Sequence, residues 1–181
     1  DLNGGLCNFW RVLANPELFA RFHRHVEAMP FAERLWEEAA ANLEEGDEVS
    51  RAAAFFIHCR QSLAGRMKGF TGITKTRTRR GMNNEVSAWL TAIEGLPVVH
   101  ERLKRVLIVG PSPAVEVIHK HDGPRTLFYL DPPYLHETRV TTTEYGENEM
   151  TPQDHANLLV ALGGSKAGKA IERWEFYGVK P

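Results

Sequence analysis

The chain has 181 residues, of which 43% are hydrophobic and 25% are charged. This balance is typical of a folded globular domain and excludes a disordered tail, a collagen-like repeat or a fibre. Its apolar runs are far too short to cross a bilayer, so we expect no membrane partner. The chain starts at Asp1 without an initiator Met or a signal-like segment, which favours a cytoplasmic protein. Cys7 and Cys59 are widely separated, which indicates neither a disulfide framework nor a zinc ribbon.

The formal net charge of −1 conceals an uneven distribution of charge. The stretch Val49–Asn84, called the basic belt below, contains no Asp or Glu, and the rest of the chain is acidic. The positive residues of the belt are Arg51, Arg60, Arg66, Lys68, Lys75, Arg77, Arg79 and Arg80. A basic surface on an acidic body is typical of a protein that binds a polyanion. A solvated basic helix followed by a loop would give the same pattern, and the charges alone leave both interpretations open.

Apolar residues at helical spacing predict three helices in the first half of the chain. The first begins after Asn15 and ends near Met29, and the second begins near Arg51. The third ends at Gly95–Pro97, and Phe70–Asn84 before it is expected to be a mobile basic loop. The apolar positions that define the helices are Leu18, Phe19, Phe22 and Val26, then Ala52, Phe55, Phe56, Cys59 and Leu63, then Val86, Trp89, Leu90 and Ile93.

The second half of the chain contains two short apolar runs, Val106–Val109 and Thr126–Leu130, joined by a segment with helical spacing. Two buried strands connected through a helix predict an α/β unit with a parallel sheet. Ligands of such sheets bind at the carboxyl ends of the strands, so the residues after Leu130 are well placed for chemistry. A further helix is predicted from the capping sequence at Thr151 through Leu162.

The residues directly after the second run are Asp131-Pro132-Pro133-Tyr134, called the DPPY segment below. Two successive prolines stiffen the backbone in an extended form and remove N–H donors. The Asp131 carboxylate and a proline carbonyl are two acceptors, and the Tyr134 ring is a flat stacking surface. This combination fits a planar group with an exocyclic amine, such as a nucleobase. A rigid strand exit with a capping Asp and a surface Tyr is the alternative interpretation.

The DPPY segment resembles the motif of the same letters in N6-adenine DNA methyltransferases, and the similarity continues through Leu135–Arg139. The opening Asp1-Leu2-Asn3, with Leu6 and Asn8-Phe9-Trp10, resembles the segment after the second strand in the Dam-type group of that family. The basic belt occupies the place of that group's target-recognition region. The resemblance covers roughly residues 1 to 162 in order, which is more specific than the four-residue motif alone.

The resemblance implies a site-specific enzyme that transfers a methyl group from S-adenosylmethionine to the N6 of adenine in double-stranded DNA. It implies that Asp131, Pro132, Pro133 and Tyr134 hold the flipped base, and that Asp1, Asn3 and Asp131 bind the cofactor. No metal is expected, because His23 and His25, like His119 and His121, are two residues apart and lie on different faces of a helix. The residues expected to contact DNA are Arg60, Arg66, Lys68, Lys75, Arg77, Arg79, Arg80 and Arg139.

The fold class implied by the resemblance is α/β, a Rossmann-like S-adenosylmethionine-dependent methyltransferase fold with a partial sheet and a mostly helical target-recognition insertion. Residues 1–14 and 98–162 would form the partial catalytic domain, 15–97 the basic insertion, and 163–181 an atypical C-terminal tail outside the family sheet. No Phe-x-Gly-x-Gly turn is present, so we expect a chain truncated at both ends. The gene would belong to a restriction–modification system, a phage or a solitary methylation system, and a monomer is compatible with the sequence.

Two other functions remain open at this point. The chain would be a non-catalytic DNA-binding remnant of such an enzyme if it binds cofactor poorly, or a methyltransferase that acts on RNA or a protein amide. A phosphate-binding loop is a third pattern, because residues 163–170 nearly match a P-loop. The last position of that pattern is Ala170 rather than Ser or Thr, and the segment follows a predicted helix rather than a strand, so we interpret it as a linker.

Overall fold

The computed structural model describes residues 2–73, 76–135 and 148–171 of the chain. It divides into two compact units, each described by itself below. The first, Asn3–Ile108, is called the helical unit, and the second, Asp1–Leu2 with Val109–Pro181, is called the C-terminal unit.

The helical unit is built from α-helices. Their bounds are α1 (Gly4–Ala14), α2 (Pro16–Glu27), α3 (Glu33–Ala41), α4 (Glu48–Arg60) and α5 (Asn84–Leu103). All of these helices except α3 begin at an Asn or Asp cap. The Oδ1 atom of Asn15 accepts hydrogen bonds from the first backbone N–H groups of α2, at 3.0 and 3.1 Å. Such a cap satisfies donors that have no partner within the helix. The predicted start and end of the first helix are therefore confirmed, and the second predicted helix corresponds to α4.

Aromatic side chains from successive helices form the centre of the helical unit. The Phe9 ring of α1 lies 5.8 Å from Phe22 of α2 and 5.9 Å from Phe56 of α4. Phe56 in turn lies 5.4 Å from Trp89 of α5, which is 2% exposed. Because α1 buries its apolar face against these helices, it belongs to the same unit as residues 15–97. The compact units are thus divided differently from the domain limits predicted at 14/15 and 97/98.

The helix predicted to end at Gly95–Pro97 continues to Leu103, so that prediction is wrong. Proline in a helix removes one backbone hydrogen bond and disturbs the turn before it. The continuation is held by burial of Ile93 and Leu96 on one side of the proline and by His100 beyond it. The Nδ1 atom of His100 lies 2.6 Å from the carbonyl oxygen of Leu13 in α1. Tertiary contacts on both sides of the proline therefore outweigh the local helix-breaking signal.

A short hairpin lies within the segment that was expected to be an irregular loop. Its strands are β1 (Thr78–Arg79) and β2 (Met82–Asn83), which pair antiparallel with Arg79 opposite Met82. Arg80 and Gly81 form the two-residue turn, with φ angles of 56° and 73°. Two-residue hairpin turns of this kind require positive φ at both central positions. Residues 74–75 of the expected loop lie outside the described residues.

The described part of the C-terminal unit contains a β-α-β arrangement. Its elements are α6 (Ala114–His121), β3 (Leu127–Leu130), α7 (Pro152–Gly163) and β4 (Gly168–Ile171). Strand β3 pairs parallel with β4, with Leu127 opposite Gly168 and Leu130 opposite Ile171. The predicted strand at 126–130 and the predicted helix after Thr151 are confirmed. Residues 163–181 were predicted to be a tail outside the family sheet, and residues 168–171 of this segment form β4, which pairs with β3.

The other predicted strand, Val106–Val109, is also wrong, because residues 106–109 form no strand. The chain leaves α5 through hydrogen-bonded turns, from Arg105 N to Arg102 O and from Val106 N to Leu103 O. Val106 is therefore still part of the helix exit. A strand needs a neighbouring strand to satisfy its backbone groups, and an apolar run alone does not provide one.

A small apolar cluster joins the two helices of the C-terminal unit to its strands. Its buried members are Ile118 of α6 and Leu158, Ala161 and Leu162 of α7. Phe128 and Leu130 pack against this cluster from β3, whereas the alternate residues Leu127 and Tyr129 are 69% and 71% exposed. The alternation of side chains along a strand explains this difference between the two faces.

The parallel pairing of β4 depends on a loop that is fastened to Asp122, the residue that ends α6. The Asp122 carboxylate accepts hydrogen bonds from Ser165 Oγ at 2.6 Å, from Lys166 N at 2.9 Å and from Ala167 N at 3.0 Å. The hydrogen bond from Ser165 and the backbone N–H groups hold the Asp122 pKa below its ordinary value. In the P-loop-like segment, the backbone N–H groups of Lys166 and Ala167 therefore donate to a carboxylate of the chain itself. Strand β4 begins at the next residue, Gly168.

No helix in the described ranges is long and apolar enough to cross a membrane. The Rossmann-like methyltransferase fold stays a prediction, because the parallel pair β3–β4 with α6 and α7 packed against β3 is compatible with several α/β folds.

Candidate functional site

The DPPY segment follows the last residue of β3 without an intervening turn. Strand β3 ends at Leu130, and Asp131 is the next residue. Because β3 and β4 are parallel, both strands present their carboxyl ends at this edge. The Asp131 side chain is exposed, whereas Pro132, Pro133 and Tyr134 are half-buried. A carboxylate is thus available to a ligand at the position where α/β sheets bind ligands.

The backbone of the segment is held from α7 by His155, a residue that the sequence reasoning missed. His155 lies in the first turn of α7 and is 4% exposed. Its imidazole forms a hydrogen bond with the backbone of Pro133, and since proline offers only its carbonyl, the imidazole N–H is the donor. Helix α7 therefore contacts the backbone of the DPPY segment at Pro133.

Burial controls the protonation state of His155. Burial lowers the pKa of its imidazole below 6.5, and the opposing effects of the Asp154 charge and the Pro133 hydrogen bond are smaller. The imidazole is therefore neutral near pH 7, and its N–H remains available as a donor. The capping box of α7, in which Thr151 and Asp154 exchange hydrogen bonds, fixes the turn that carries His155. A His immediately after a capping box was the available sequence signal.

The carbonyl oxygen of Pro132, by contrast, accepts no hydrogen bond from any residue that the structure describes. Asp131 and Pro132 therefore keep an exposed carboxylate and a carbonyl for a ligand, while the next carbonyl along the chain is engaged by His155. The same two acceptors were expected from the sequence to hold an amine.

The residues predicted to bind the cofactor are only partly described. Asp1 lies outside the described residues. The Oδ1 atom of Asn3 accepts a hydrogen bond from Leu6 N at 2.9 Å and so caps α1. Asn3 belongs to the helical unit and Asp131 to the C-terminal unit. Their joint role at a cofactor stays a prediction.

The described residues that were predicted to contact DNA lie on the surface of the helical unit. The exposed residues are Arg60, Arg66, Lys68, Arg77, Arg79 and Arg80. Arg80 forms an ion pair with Glu94 of α5, with Nη1 and Oε2 3.1 Å apart. Lys75 and Arg139 lie outside the described residues. DNA contact stays a prediction for the whole set.

A cavity of about 310 Å³ lies between α6 and α7, and its position differs from that of the DPPY segment. It is lined by His119 and Asp122 near the end of α6 and by Gly164 and Ser165 near the end of α7. Both groups precede strands, so the cavity lies toward the amino ends of β3 and β4. Among the described residues, no cluster of three His, Cys, Asp or Glu side chains is suited to hold a metal ion.

Comparison of the chain with models of protein families, with curated proteins and with solved structures found no match.

Proposed function

We propose that the protein is an adenine-specific DNA methyltransferase that transfers a methyl group from S-adenosylmethionine to the N6 amine of adenine. One observation carries the proposal: the DPPY segment lies at the carboxyl end of a parallel strand with an exposed Asp131 carboxylate. Support also comes from His155, which holds the segment by the Pro133 carbonyl and leaves the preceding acceptors for a substrate.

The chemistry assigned to the segment is the activation of a weak nucleophile. The lone pair of the adenine amine is delocalised into the ring, so the amine reacts slowly unless it is held. Acceptance of its two N–H bonds by the Asp131 carboxylate and the Pro132 carbonyl favours a pyramidal nitrogen whose lone pair is directed out of the ring plane. The proton released after methylation passes to water, to which Asp131 is exposed.

The Tyr134 ring supplies a stacking surface for the flipped base, a contact worth about 1–3 kcal/mol in comparable sites. S-adenosylmethionine, when bound, supplies the methyl group. Asp1 would accept hydrogen bonds from its ribose hydroxyls.

The basic belt supports DNA as the substrate. Its exposed cations lie in a stretch of sequence without carboxylates, although Arg80 is paired with Glu94 of α5. Cations of this kind attract the phosphates of DNA. Most of these residues would position the duplex by phosphate contacts, which carry no sequence information.

The test is transfer of a labelled methyl group to duplex DNA, with N6-methyladenine identified after digestion to nucleosides. We expect Asp131→Ala and Asp131→Asn to abolish incorporation, and Glu116→Gln, an exposed carboxylate of α6 in the same unit, to leave it unchanged. Undiminished incorporation by the Asp131 variants would contradict the proposal. Duplex DNA, RNA and protein are tested in parallel, and a product in RNA or at a protein amide would change the substrate class.

A non-catalytic DNA-binding protein is the second candidate, because the exposed cations of the basic belt can bind DNA without a cofactor. Calorimetric titration of the chain with S-adenosylmethionine separates the two functions. No heat of binding, together with retained DNA affinity, would favour the second candidate over the enzyme.

A further inference from the structure

The segment after α4 forms a closed loop, Leu63–Gly69, within the basic belt. The backbone N–H of Leu63 donates to the carbonyl oxygen of Gly69 at 3.0 Å. One step further out, Thr71 N donates to Gln61 O, also at 3.0 Å. Two successive cross-chain hydrogen bonds bring the ends of the loop together, so its conformation is defined by its own backbone.

The base of this loop is anchored in the helical unit. The Gln61 side chain is fully buried. It donates to Pro30 O at 3.3 Å and accepts from Ala32 N at 3.1 Å. The ring of Phe70, on the other side of the base, lies 5.1 Å from Phe31. The loop is therefore fixed to the segment between α2 and α3.

The interior of the loop is held by His58, a buried residue in the last turn of α4. Its Nε2 atom lies 2.9 Å from the carbonyl oxygen of Met67, so Nε2 carries the proton and donates. The imidazole stacks on Trp36, with 4.8 Å between ring centroids and 13° between planes. The buried Nδ1 atom of His58 has no hydrogen-bond partner within the part of the chain that the structure describes. Within the described residues, the hydrogen bond of the His58 imidazole therefore goes to the loop, at Met67 O.

The loop backbone adopts conformations that need such support. Ala64 and Met67 have φ angles of 54° and 55°, in a region that residues with a side chain rarely occupy. Residues with such strained backbone angles occur where the surrounding structure holds them in place, and they are concentrated at ligand-binding sites. The Cys59 thiol also donates to Gly65 O at 3.6 Å, and burial raises its pKa, which keeps the proton on sulfur.

The loop presents two cations to solvent, Arg66 and Lys68, separated by Met67. Among the described residues, Arg66 has no carboxylate partner, whereas Arg80 of the hairpin is paired with Glu94. The main-chain groups on both sides of Arg66 are held by Cys59 and His58. Arg66 is therefore an exposed cation on a backbone that is already ordered.

We propose that the Leu63–Gly69 loop is a preformed element that contacts the phosphate backbone of DNA through Arg66 and Lys68, with His58 as its positioning residue. The inference rests on the proposed function only in taking DNA as the partner. Ordering before binding matters because a cation on a preformed loop loses less conformational freedom when it contacts a phosphate.

The experiment measures binding of a fluorescent duplex of mixed sequence over a range of salt concentrations. Log affinity falls as log salt concentration rises, and each phosphate contact contributes about 0.9 to the magnitude of this slope, which is called the slope below. The double variant Arg66→Gln, Lys68→Gln should lower the slope by roughly 1.8. Controls are Leu63→Ala, an uncharged exposed change in the same loop, and Arg24→Gln, an exposed charge on α2. Neither control should change the slope.

The role of His58 is tested by a cycle of variants. His58→Phe keeps a ring beside Trp36 but removes the donor, so it should lower the slope in the wild-type background. In the Arg66→Gln, Lys68→Gln background it should cause no further change, because it acts only through those cations. His58→Gln restores an N–H donor and should recover the slope. An equal loss in both backgrounds, or no recovery by Gln, would overturn the positioning role.

Thermal unfolding of each variant identifies chains that fail to fold. If His58→Phe does not fold, the slope of the His58→Gln variant is compared with that of the wild-type chain instead. Unchanged slopes for the Arg66 and Lys68 variants, with normal DNA binding and methylation, would overturn this inference alone. Absence of DNA binding by the unaltered chain would instead contradict DNA as the substrate.

Discussion

Replacement of His155 tests whether α7 controls the DPPY segment. His155→Leu fills the buried position but removes the N–H that donates to Pro133. A hydrogen bond of this kind contributes about 0.5–1.5 kcal/mol net. That free energy corresponds to a roughly 2- to 13-fold change in the ratio between DPPY segments that are hydrogen-bonded to α7 and those that are not. We expect methyl transfer to fall by a similar factor, with affinity for DNA retained.

Hydrogen exchange reports the same equilibrium without requiring activity. Exchange of the Tyr134 and Leu135 amides should become faster in His155→Leu by the same factor, provided that they exchange through local opening. His155→Asn and His155→Gln retain an N–H donor, and the better placed of the two should restore protection. Asn157→Leu, an exposed change on the same helix, is the matched control. Exchange that is identical in the wild-type chain and His155→Leu would refute the proposed control from α7.

The same residue predicts the pH dependence of stability. Burial lowers the pKa of His155 in the folded chain below 6.5, so the unfolded chain binds the proton more tightly. The free energy of unfolding should therefore be constant above about pH 6.5 and fall as the pH drops from there through the lower folded pKa. His155→Leu lacks this contribution. The difference between the two chains in urea unfolding at several pH values isolates it, and a difference that is independent of pH would contradict the reasoning.

Three further substitutions test the packing of each unit separately. Leu158→Ala should lower the free energy of unfolding by about 2–5 kcal/mol in urea denaturation, because Leu158 is 3% exposed and the cavity would remain largely unfilled. Trp89→Ala should cost about 3–5 kcal/mol in the same assay, since it also removes the donor to Met29 O, and a loss below 1 kcal/mol would argue against its central position. Asp122→Ala should accelerate amide exchange in Gly168–Ile171 without a comparable change in α1. In the wild-type chain this protection should be lost as the pH falls below about 3.8, because the folded pKa of Asp122 is lowered.

The elements that were predicted correctly are determined by residues that are close to them in the sequence. Helix α2 begins at an Asn-Pro pair, and α7 begins at the Thr151 capping box, so a few neighbouring side chains determine each start. Strand β3 is an apolar run closed by two prolines, which cannot continue a ladder. The position of Asp131 at the end of a strand was accessible to sequence reasoning for the same reason.

The elements that were missed depend on contacts between residues distant in sequence. Helix α5 passes through Pro97 because His100 meets Leu13, 87 residues earlier in the chain. The contacts of His58 with Met67 and of His155 with Pro133 leave no periodicity in the sequence. A buried histidine that contacts a distant backbone carbonyl has no periodic sequence pattern, and for His155 the preceding capping box was the one local signal.

The P-loop-like segment, residues 163–170, binds an anion of the chain itself rather than a nucleotide phosphate. Its composition predicts clustered backbone N–H donors, and clustered donors stabilise an anion. Here the anion is the Asp122 carboxylate, which binds Ser165, Lys166 and Ala167. That contact fixes the start of β4, and β4 in turn pairs with the strand that ends at Asp131. The position of the Asp131 carboxylate at the end of β3 therefore depends on the Asp122 carboxylate before β3. Asp122 holds the start of β4, and β4 pairs with β3.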